Sequence, residues 1–141
     1  MSSGEKTRIT IDTAINAPIE KVWTAYTKPA HIVKWNFASD DWHCPRAQND
    51  LQAGGKLNSR MEARDGSFGF DFEATYDEIV PNRKISYTMA DGRQATTLFD
   101  GSGNKTTVTT TFDAESINPV EMQRGGWQAI LNNFKKHVES I

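Results

Sequence analysis

The beginning of the chain alternates apolar and polar residues. Ile9, Ile11 and Ile15 are separated by polar or small residues at a period of two, which is typical of a half-buried strand. The alternation predicts a strand over residues 7–15. The next apolar residues have helical spacing instead, and they are Ile19, Val22, Trp23 and Tyr26. This stripe predicts a helix.

Two prolines define the helical region that follows the first strand. Pro18 suits the first position of a helix, and Pro29 ends that helix because proline cannot continue it. A second short helix is predicted from Pro29 to Trp35. Residues 36–55 show no clear period, and they are expected to form an ordered loop with at most one edge strand.

Residues 55–113 contain strand-like runs that four turn signals divide into five strands. The turn signals are Asp65-Gly66, Pro81-Asn82, Asp91-Gly92 and the segment from Gly101 to Asn104. One face of these strands is predicted to be dry: Leu57, Ser59, Met61, Phe68, Phe70, Phe72, Ala74, Tyr76, Ile85, Tyr87 and Met89. The opposite face is polar: Lys56, Asn58, Arg60, Glu62, Asp71, Glu73, Asp77, Ser86 and Thr88. This pattern favours an antiparallel sheet with one face in water.

The last segment predicts a long helix that covers the dry face of the sheet. Its apolar residues fall at helical spacing, and they are Trp127, Ile130, Leu131, Phe134, Val138 and Ile141. Asn118 is expected to cap this helix, with Pro119 as its first residue and Glu121 completing a capping box. Gly125 and Gly126 each cost about 1 kcal/mol against alanine inside a helix. They predict a bend or a close backbone approach near the mouth of a pocket.

The composition indicates one globular domain and excludes several classes of protein. The chain has 141 residues, of which 37% are hydrophobic, so residues 1–141 are expected to form a single domain around one core. Sixteen basic and eighteen acidic residues give a net charge of −2, which does not indicate a nucleic-acid or anionic-membrane binder. No apolar run approaches the roughly twenty residues of a membrane span.

The cysteine count and the start of the chain favour the cytoplasm. Cys44 is the single cysteine and cannot form an internal disulfide. Residues 1–6 lack the apolar stretch of a signal peptide. A reducing compartment is therefore expected.

Several stretches together resemble a known family. They are Ala17–Trp23 with Pro29 and Trp35, then Gly54–Leu57, Tyr76–Ile85, and Gly126-Trp127. Over residues 7–140 the chain resembles the helix-grip, START-related superfamily. More narrowly, it resembles the family named after the activator of the ninety-kilodalton heat-shock protein ATPase, which is often described as polyketide cyclase-like. The segment from Trp35 to Leu51 is similar to a subgroup signature of unknown chemistry.

The resemblance implies a fold and a cavity. The implied fold is α+β and helix-grip, with a curved antiparallel sheet of about six or seven strands wrapped around a long C-terminal helix. Two short helices follow the first strand. Members of the family have a cavity between the sheet and the closing helix, and a link to the stress response is implied. Their activities differ, so the fold does not fix the function.

Candidate reactive groups occur in the segment before residue 45, but they do not form a convincing site. Asp40, Asp41, His43 and Cys44 are close in sequence, whereas a metal site needs three or four converging ligands. No metal and no cofactor are predicted. Cys44 as a nucleophile needs a base and a lowered pKa, and a neighbouring side chain in an extended segment points elsewhere. An inert thiol is therefore expected.

Other enzyme classes receive little support. The carboxylates that offer acid–base chemistry are Asp71, Glu73, Asp77 and Glu78, of which the first three alternate with the apolar face and are expected in water. The sequence contains no G-x-S-x-G elbow, P-loop or G-x-G-x-x-G motif.

The strongest candidate site is a lining of mostly aromatic and apolar side chains. The residues predicted to line the cavity are Trp35, Trp42, His43, Phe70, Phe72, Tyr76, Tyr87, Met89, Phe99, Trp127 and Leu131. The alternative is that these side chains fill the interior completely. Tyr76 and Tyr87 favour a cavity because they place hydroxyl groups among apolar ones, as ligand sites often do.

Three functions follow from this lining and from the resemblance. The first is the binding of a small apolar or amphipathic molecule, with no nucleic acid involved. The second is a cyclase or dehydratase in which Tyr76, Tyr87 or His43 moves a proton. The third is a co-chaperone-like module with a chaperone partner. The sequence leaves open the ligand, the oligomeric state and whether any reaction is catalysed.

Overall fold

The computed structural model describes residues 7–141, so the expectation for residues 1–6 lies outside the described residues. The strands are β1 (Arg8–Ile15), β2 (Trp42–Asn49), β3 (Lys56–Ala63), β4 (Gly69–Val80), β5 (Lys84–Met89), β6 (Gln94–Ser102) and β7 (Lys105–Asp113). The helices are α1 (Ile19–Thr27) and α2 (Pro29–Trp35), which follow β1, and α3 (Val120–Ser140), which closes the chain.

The seven strands form a single curved antiparallel sheet. Their order is β1-β7-β6-β5-β4-β3-β2, so the first strand pairs with the last one. The long helix α3 lies against β1, and α2 lies against β2. The predicted α+β helix-grip architecture is confirmed.

The turns divide the sheet as the sequence predicts. Gly66 and Gly92 have φ angles of 77° and 91°, the left-handed conformation that glycine adopts without steric cost. The five predicted strands between residues 55 and 113 are confirmed as β3 to β7. The edge strand allowed within residues 36–55 is β2, which pairs with β3 alone.

The starts of α1 and α3 differ from their predictions by one residue. Pro18 and Pro119 are the capping residues, and each helix begins at the next position. The predicted capping box is wrong, because no side chain caps α3. Instead, the Gln123 side chain accepts a hydrogen bond from the Glu115 N–H (2.8 Å) and donates one to the Asn118 carbonyl (2.8 Å). This amide orders the loop before the helix.

The structure corrects two expectations for α3, namely the close backbone approach at its glycines and the end of its buried stripe. A Cβ atom added at Gly125 or Gly126 meets no other atom within 4 Å, so no close backbone approach requires these glycines. Ile141 lies beyond the end of α3 and is 52% exposed, so it does not extend the buried stripe. None of the helices within residues 7–141 is long and apolar enough to cross a membrane.

The buried stripe of α3 meets the two short helices and the sheet. Phe134 and Val138 are fully buried. The Phe134 ring lies 4.9 Å from the Trp35 ring and 5.2 Å from the Tyr26 ring, measured between centroids. The dry face of the sheet is therefore shared among α1, α2 and α3, which together close one side of the core.

The predicted wet and dry faces are largely as expected, with one exception. The carboxylates of Asp71, Glu73 and Asp77 are exposed on the wet face. Phe68 was expected on the dry face, but it lies in the turn before β4 and is 61% exposed. The reason is that β4 begins at Gly69, so the alternation does not extend back to Phe68.

Candidate ligand-binding site

A cavity of about 380 Å³ lies between the sheet and the helices α2 and α3. Its apolar lining comprises Ile11, Ile32, Trp35, Leu57, Met61, Phe70, Phe72, Ile85, Trp127, Ile130 and Leu131. Its polar lining comprises Tyr26, Asn36, Ser59, Tyr76, Tyr87, Arg93, Thr110 and Glu115. The walls are thus mainly apolar, with a limited set of polar groups.

The structure brings together seven of the eleven residues that the sequence predicts as lining. They are Trp35, Phe70, Phe72, Tyr76, Tyr87, Trp127 and Leu131. Four of the seven lie on the sheet, in β4 and β5. Of the other three, Trp35 lies on α2, whereas Trp127 and Leu131 lie on α3. Trp35 is fixed in the wall because its indole N–H donates to the Ala25 carbonyl at 2.9 Å.

Two predicted residues on β2, Trp42 and His43, lie outside the cavity lining. Trp42 packs on the exposed rings of Phe68 and Phe70, at centroid distances of 5.9 and 6.1 Å. His43 pairs with Glu62 across β2 and β3, with Nε2 3.7 Å from a carboxylate oxygen. Both residues start an edge strand, where the cavity does not reach.

Met89 and Phe99 are buried but also lie outside the cavity lining. Met89 ends β5, and its backbone N–H donates to the Arg93 carbonyl in the following turn. Phe99 on β6 contacts the rings of Trp23 and Tyr26 on α1. Phe99 fills the core because α1, rather than the cavity, covers its part of the sheet.

Several lining residues were not singled out by the sequence, and Ser59 is the clearest example. It lies between Leu57 and Met61 on the same face of β3, so the alternation predicts its place on the dry face but gives no sign of a role in binding. Tyr26 belongs to the apolar stripe predicted for α1. Arg93 and Glu115 lie in loops, where periodicity carries no signal.

The hydroxyl groups of the lining differ in whether they already have a partner. The Tyr76 hydroxyl donates to Asn49 Oδ1 at 2.6 Å, and the Tyr26 hydroxyl lies 3.3 Å from Thr97 Oγ1. The Ser59 hydroxyl is buried without any hydrogen-bond partner in the part of the chain that the structure describes. The Tyr87 hydroxyl also has no hydrogen bond to another residue within 7–141.

The tyrosines of the cavity stay protonated at neutral pH. Burial, reinforced by the neighbouring Tyr26 and Tyr76, raises the pKa of Tyr87 well above its ordinary value. Burial likewise raises the pKa values of Tyr26 and Tyr76. These phenols are therefore neutral hydrogen-bonding groups and not bases.

The two charged residues of the lining are engaged by the protein itself. Arg93 Nε donates to the Asp91 carboxylate at 2.7 Å, and Nη1 donates to the Asp113 carbonyl at 3.4 Å. Glu115 accepts a hydrogen bond from the Asn118 N–H at 2.6 Å. Both residues also line a neighbouring surface cleft. Among the described residues of the lining, Arg93 is the cation, and it is already paired with Asp91.

The other candidate reactive side chains do not form a site within the described residues. No three His, Cys, Asp or Glu side chains within residues 7–141 are grouped so that they could hold a metal ion. Cys44 is buried, and its thiol donates to the Arg46 carbonyl at 3.4 Å. Burial raises the pKa of this thiol, which disfavours the nucleophilic thiolate.

Comparisons with known proteins show a family and a shared fold. Residues 16–139 match the family described as "Activator of Hsp90 ATPase homolog 1-like protein". The solution structure of an AHSA1-like protein from Aeromonas hydrophila is 41% identical, with a TM-score of 0.89 over 95% of this chain and 93% of that one. Chr148 from Cytophaga hutchinsonii is 48% identical, with a TM-score of 0.81 over 94% and 92% of the two chains.

More distant structures share the fold alone. The protein CV1439 from Chromobacterium violaceum is 23% identical, with a TM-score of 0.83 over 94% of this chain and 96% of that chain. No curated protein matches the chain significantly.

Proposed function

The chain belongs to the activator of Hsp90 ATPase homolog 1-like family, and we propose that it binds a small apolar or amphipathic molecule between the sheet and α3. The cavity of about 380 Å³ is the observation that carries this proposal. Ligand sites of proteins typically have volumes of about 300 to 1,000 Å³, apolar walls and a few polar groups that fix orientation. The lining described above has this composition.

The cyclase or dehydratase alternative is not favoured by a specific observation. Its proposed proton carriers were Tyr76, Tyr87 and His43. The two tyrosines are neutral because burial raises their pKa values, and His43 lies outside the cavity lining. A general base needs a pKa near the working pH and contact with its substrate. A binding function requires neither.

The proposal is tested by filling the cavity. Leu57 lines it from β3, so Leu57→Trp occupies part of its volume. Leu98 lies on β6, is 49% exposed and is outside the lining, so Leu98→Trp is a matched control. The probes are uncharged two-ring aromatic compounds that include 2-ethylnaphthalene, with binding measured by equilibrium dialysis and by the thermal transition.

We expect saturable binding to the wild type and to Leu98→Trp, and at least tenfold weaker binding to Leu57→Trp. A ligand at a hundred times its Kd stabilises the folded chain by about 2.7 kcal/mol, which raises the melting temperature by several degrees. If no compound of the panel binds the wild type saturably, the interior acts as a solid core and the proposal is wrong.

A second candidate function is a protein contact, because the family description names activation of an ATPase. The aromatic cluster of Trp42, Phe68 and Phe70 favours it, since Phe68 is 61% exposed and Phe70 is 40% exposed. Exposed apolar patches often mark interaction sites. A rise in the turnover of purified Hsp90 on addition of the wild-type chain, lost in Phe68→Ser, supports this function. An unchanged turnover rejects it.

A further inference from the structure

Ser59 has a buried hydroxyl for which the protein supplies no partner. The residue lies in the middle of β3, has no exposed surface and lines the cavity. Its Oγ is the one buried side-chain nitrogen or oxygen without a hydrogen bond among the residues the structure describes. Such groups are rare in folded proteins, because burying an unpaired hydroxyl costs free energy.

The neighbours of Ser59 explain why no partner is available. Ala47 of β2 and Phe72 of β4 lie opposite it in the register of the sheet. Leu57 and Met61 are its neighbours on the same face of β3. All four side chains are apolar, so none of them supplies a partner for this hydroxyl, and the cavity that Ser59 lines is the remaining source of one.

Tyr87 offers a second hydroxyl without a hydrogen bond on the same wall, although its oxygen is not enclosed as that of Ser59 is. Its ring lies 6.0 Å from the Phe72 ring in an edge-on arrangement, so Phe72 separates the two hydroxyl-bearing residues. The Tyr87 hydroxyl makes no hydrogen bond to another described residue. By contrast, the Tyr76 hydroxyl is already bonded to Asn49.

We propose that the ligand is an uncharged molecule whose apolar body carries a hydrogen-bond acceptor, such as a ketone, that accepts from one of the two cavity hydroxyls, Ser59 or Tyr87. This inference rests on the proposed binding function and names the class of ligand. A carboxylate is disfavoured because Arg93 is paired with Asp91 and the lining also carries the negative charge of Glu115. A pure hydrocarbon leaves both hydroxyls unpaired.

A matched pair of probes separates the hydrogen bond from the apolar contacts. 2-Acetylnaphthalene and 2-ethylnaphthalene have nearly the same shape, and only the ketone has an acceptor. Their affinities are measured by equilibrium dialysis for the wild type, Ser59→Ala and Tyr87→Phe. The matched control is Ser86→Ala, because Ser86 lies on the opposite face of β5 and bonds Thr96 at 3.1 Å.

We expect the ketone to bind the wild type more tightly than the hydrocarbon. A hydrogen bond contributes enough that its removal weakens ketone binding about fivefold in the variant that lacks the donor, either Ser59→Ala or Tyr87→Phe. Hydrocarbon binding stays within twofold in both variants, and Ser86→Ala changes neither probe. 2-Naphthoate, the anionic analogue, binds more weakly than the ketone.

Three results overturn the inference in different ways. If both probes bind the wild type but the ratio of their affinities in Ser59→Ala and in Tyr87→Phe stays equal to the wild-type ratio, the polar recognition is wrong and the binding function stands. If 2-naphthoate binds more tightly than the ketone, the uncharged class is wrong. If neither probe binds the wild type, the binding function itself fails for this class. Thermal melts of the ligand-free variants confirm that each is folded, and Ser59→Ala is expected to melt no lower than the wild type.

Discussion

The indole of Trp127 stacks on the ring of Phe112, with centroids 3.9 Å apart and planes inclined by 9°. This contact joins α3 to β7, next to the cavity that Trp127 helps to line. Phe112 is fully buried, whereas Trp127 is half-buried. The stack therefore anchors the closing helix at the edge of the core.

The first prediction concerns this anchor. Trp127→Ala removes the stack and much of the buried area, so we expect it to lower the free energy of unfolding by about 2 to 4 kcal/mol. Trp127→Phe keeps an aromatic ring and should lose less than half of that amount. Urea denaturation measures both values. A loss below about 0.5 kcal/mol in the alanine variant would show that α3 is held without the stack.

The second prediction concerns the glycines of α3. Since an added Cβ meets nothing within 4 Å at Gly125 or Gly126, alanine at each position should stabilise the fold by about 1 kcal/mol through helix propensity. Gly101→Ala is the opposite case, because its Cβ would lie 2.7 Å from the Ile19 Cβ of α1. We expect that variant to be destabilised by about 1 to 3 kcal/mol. Thermal melts that rank Gly101→Ala above Gly126→Ala would contradict this reasoning.

The third prediction is a pH dependence of stability. His137 on α3 lies against His31 on α2, with their ring nitrogens 2.9 Å apart. Burial, with the positive charge of His31 and Lys34, lowers the pKa of His137 below its ordinary value of 6.5. The unfolded chain therefore takes up this proton at a higher pH than the folded chain. The contribution of neutral His137 to the free energy of unfolding is fully present above pH 6.5. It is lost as the pH drops from there toward the pKa of His137 in the folded state.

Denaturation in urea between pH 8 and pH 5.5 checks this dependence. His137→Gln should flatten the decline, whereas His43→Gln should keep it, because His43 lies on β2 away from α3. The carboxylates with lowered pKa values, such as Glu139, titrate below this window. An unchanged decline in His137→Gln would exclude the histidine pair as its source.

The fourth prediction concerns the thiol of Cys44. Burial raises its pKa, so the folded chain should react with a disulfide reagent such as 5,5′-dithiobis(2-nitrobenzoate) at least a hundredfold more slowly than the unfolded chain at pH 8. The reaction is followed by absorbance with and without urea. Rapid labelling of the folded chain would instead indicate an accessible, activated cysteine.

The local pattern of the sequence was sufficient for the secondary structure and for the architecture. A two-residue or helical period is a property of consecutive residues, so β1, the strands β3 to β7 and α3 were predicted from the residues alone. The resemblance then implied that a curved sheet wraps around the closing helix, whereas the order of the strands came from the structure. Capping was less predictable, because the Gln123 amide competes with Asn118 and Glu121 only once the loop has folded.

The composition of the cavity depended on the tertiary structure. Alternation along a strand predicts the face of the sheet on which a side chain lies. It does not predict which helix or cavity covers that face at each position. Phe99 and Tyr87 both lie on the dry side, yet α1 covers the first and the cavity meets the second. Ser59 is the sharpest case. Its isolation follows from apolar neighbours on β2, β3 and β4, which come together only when the sheet forms.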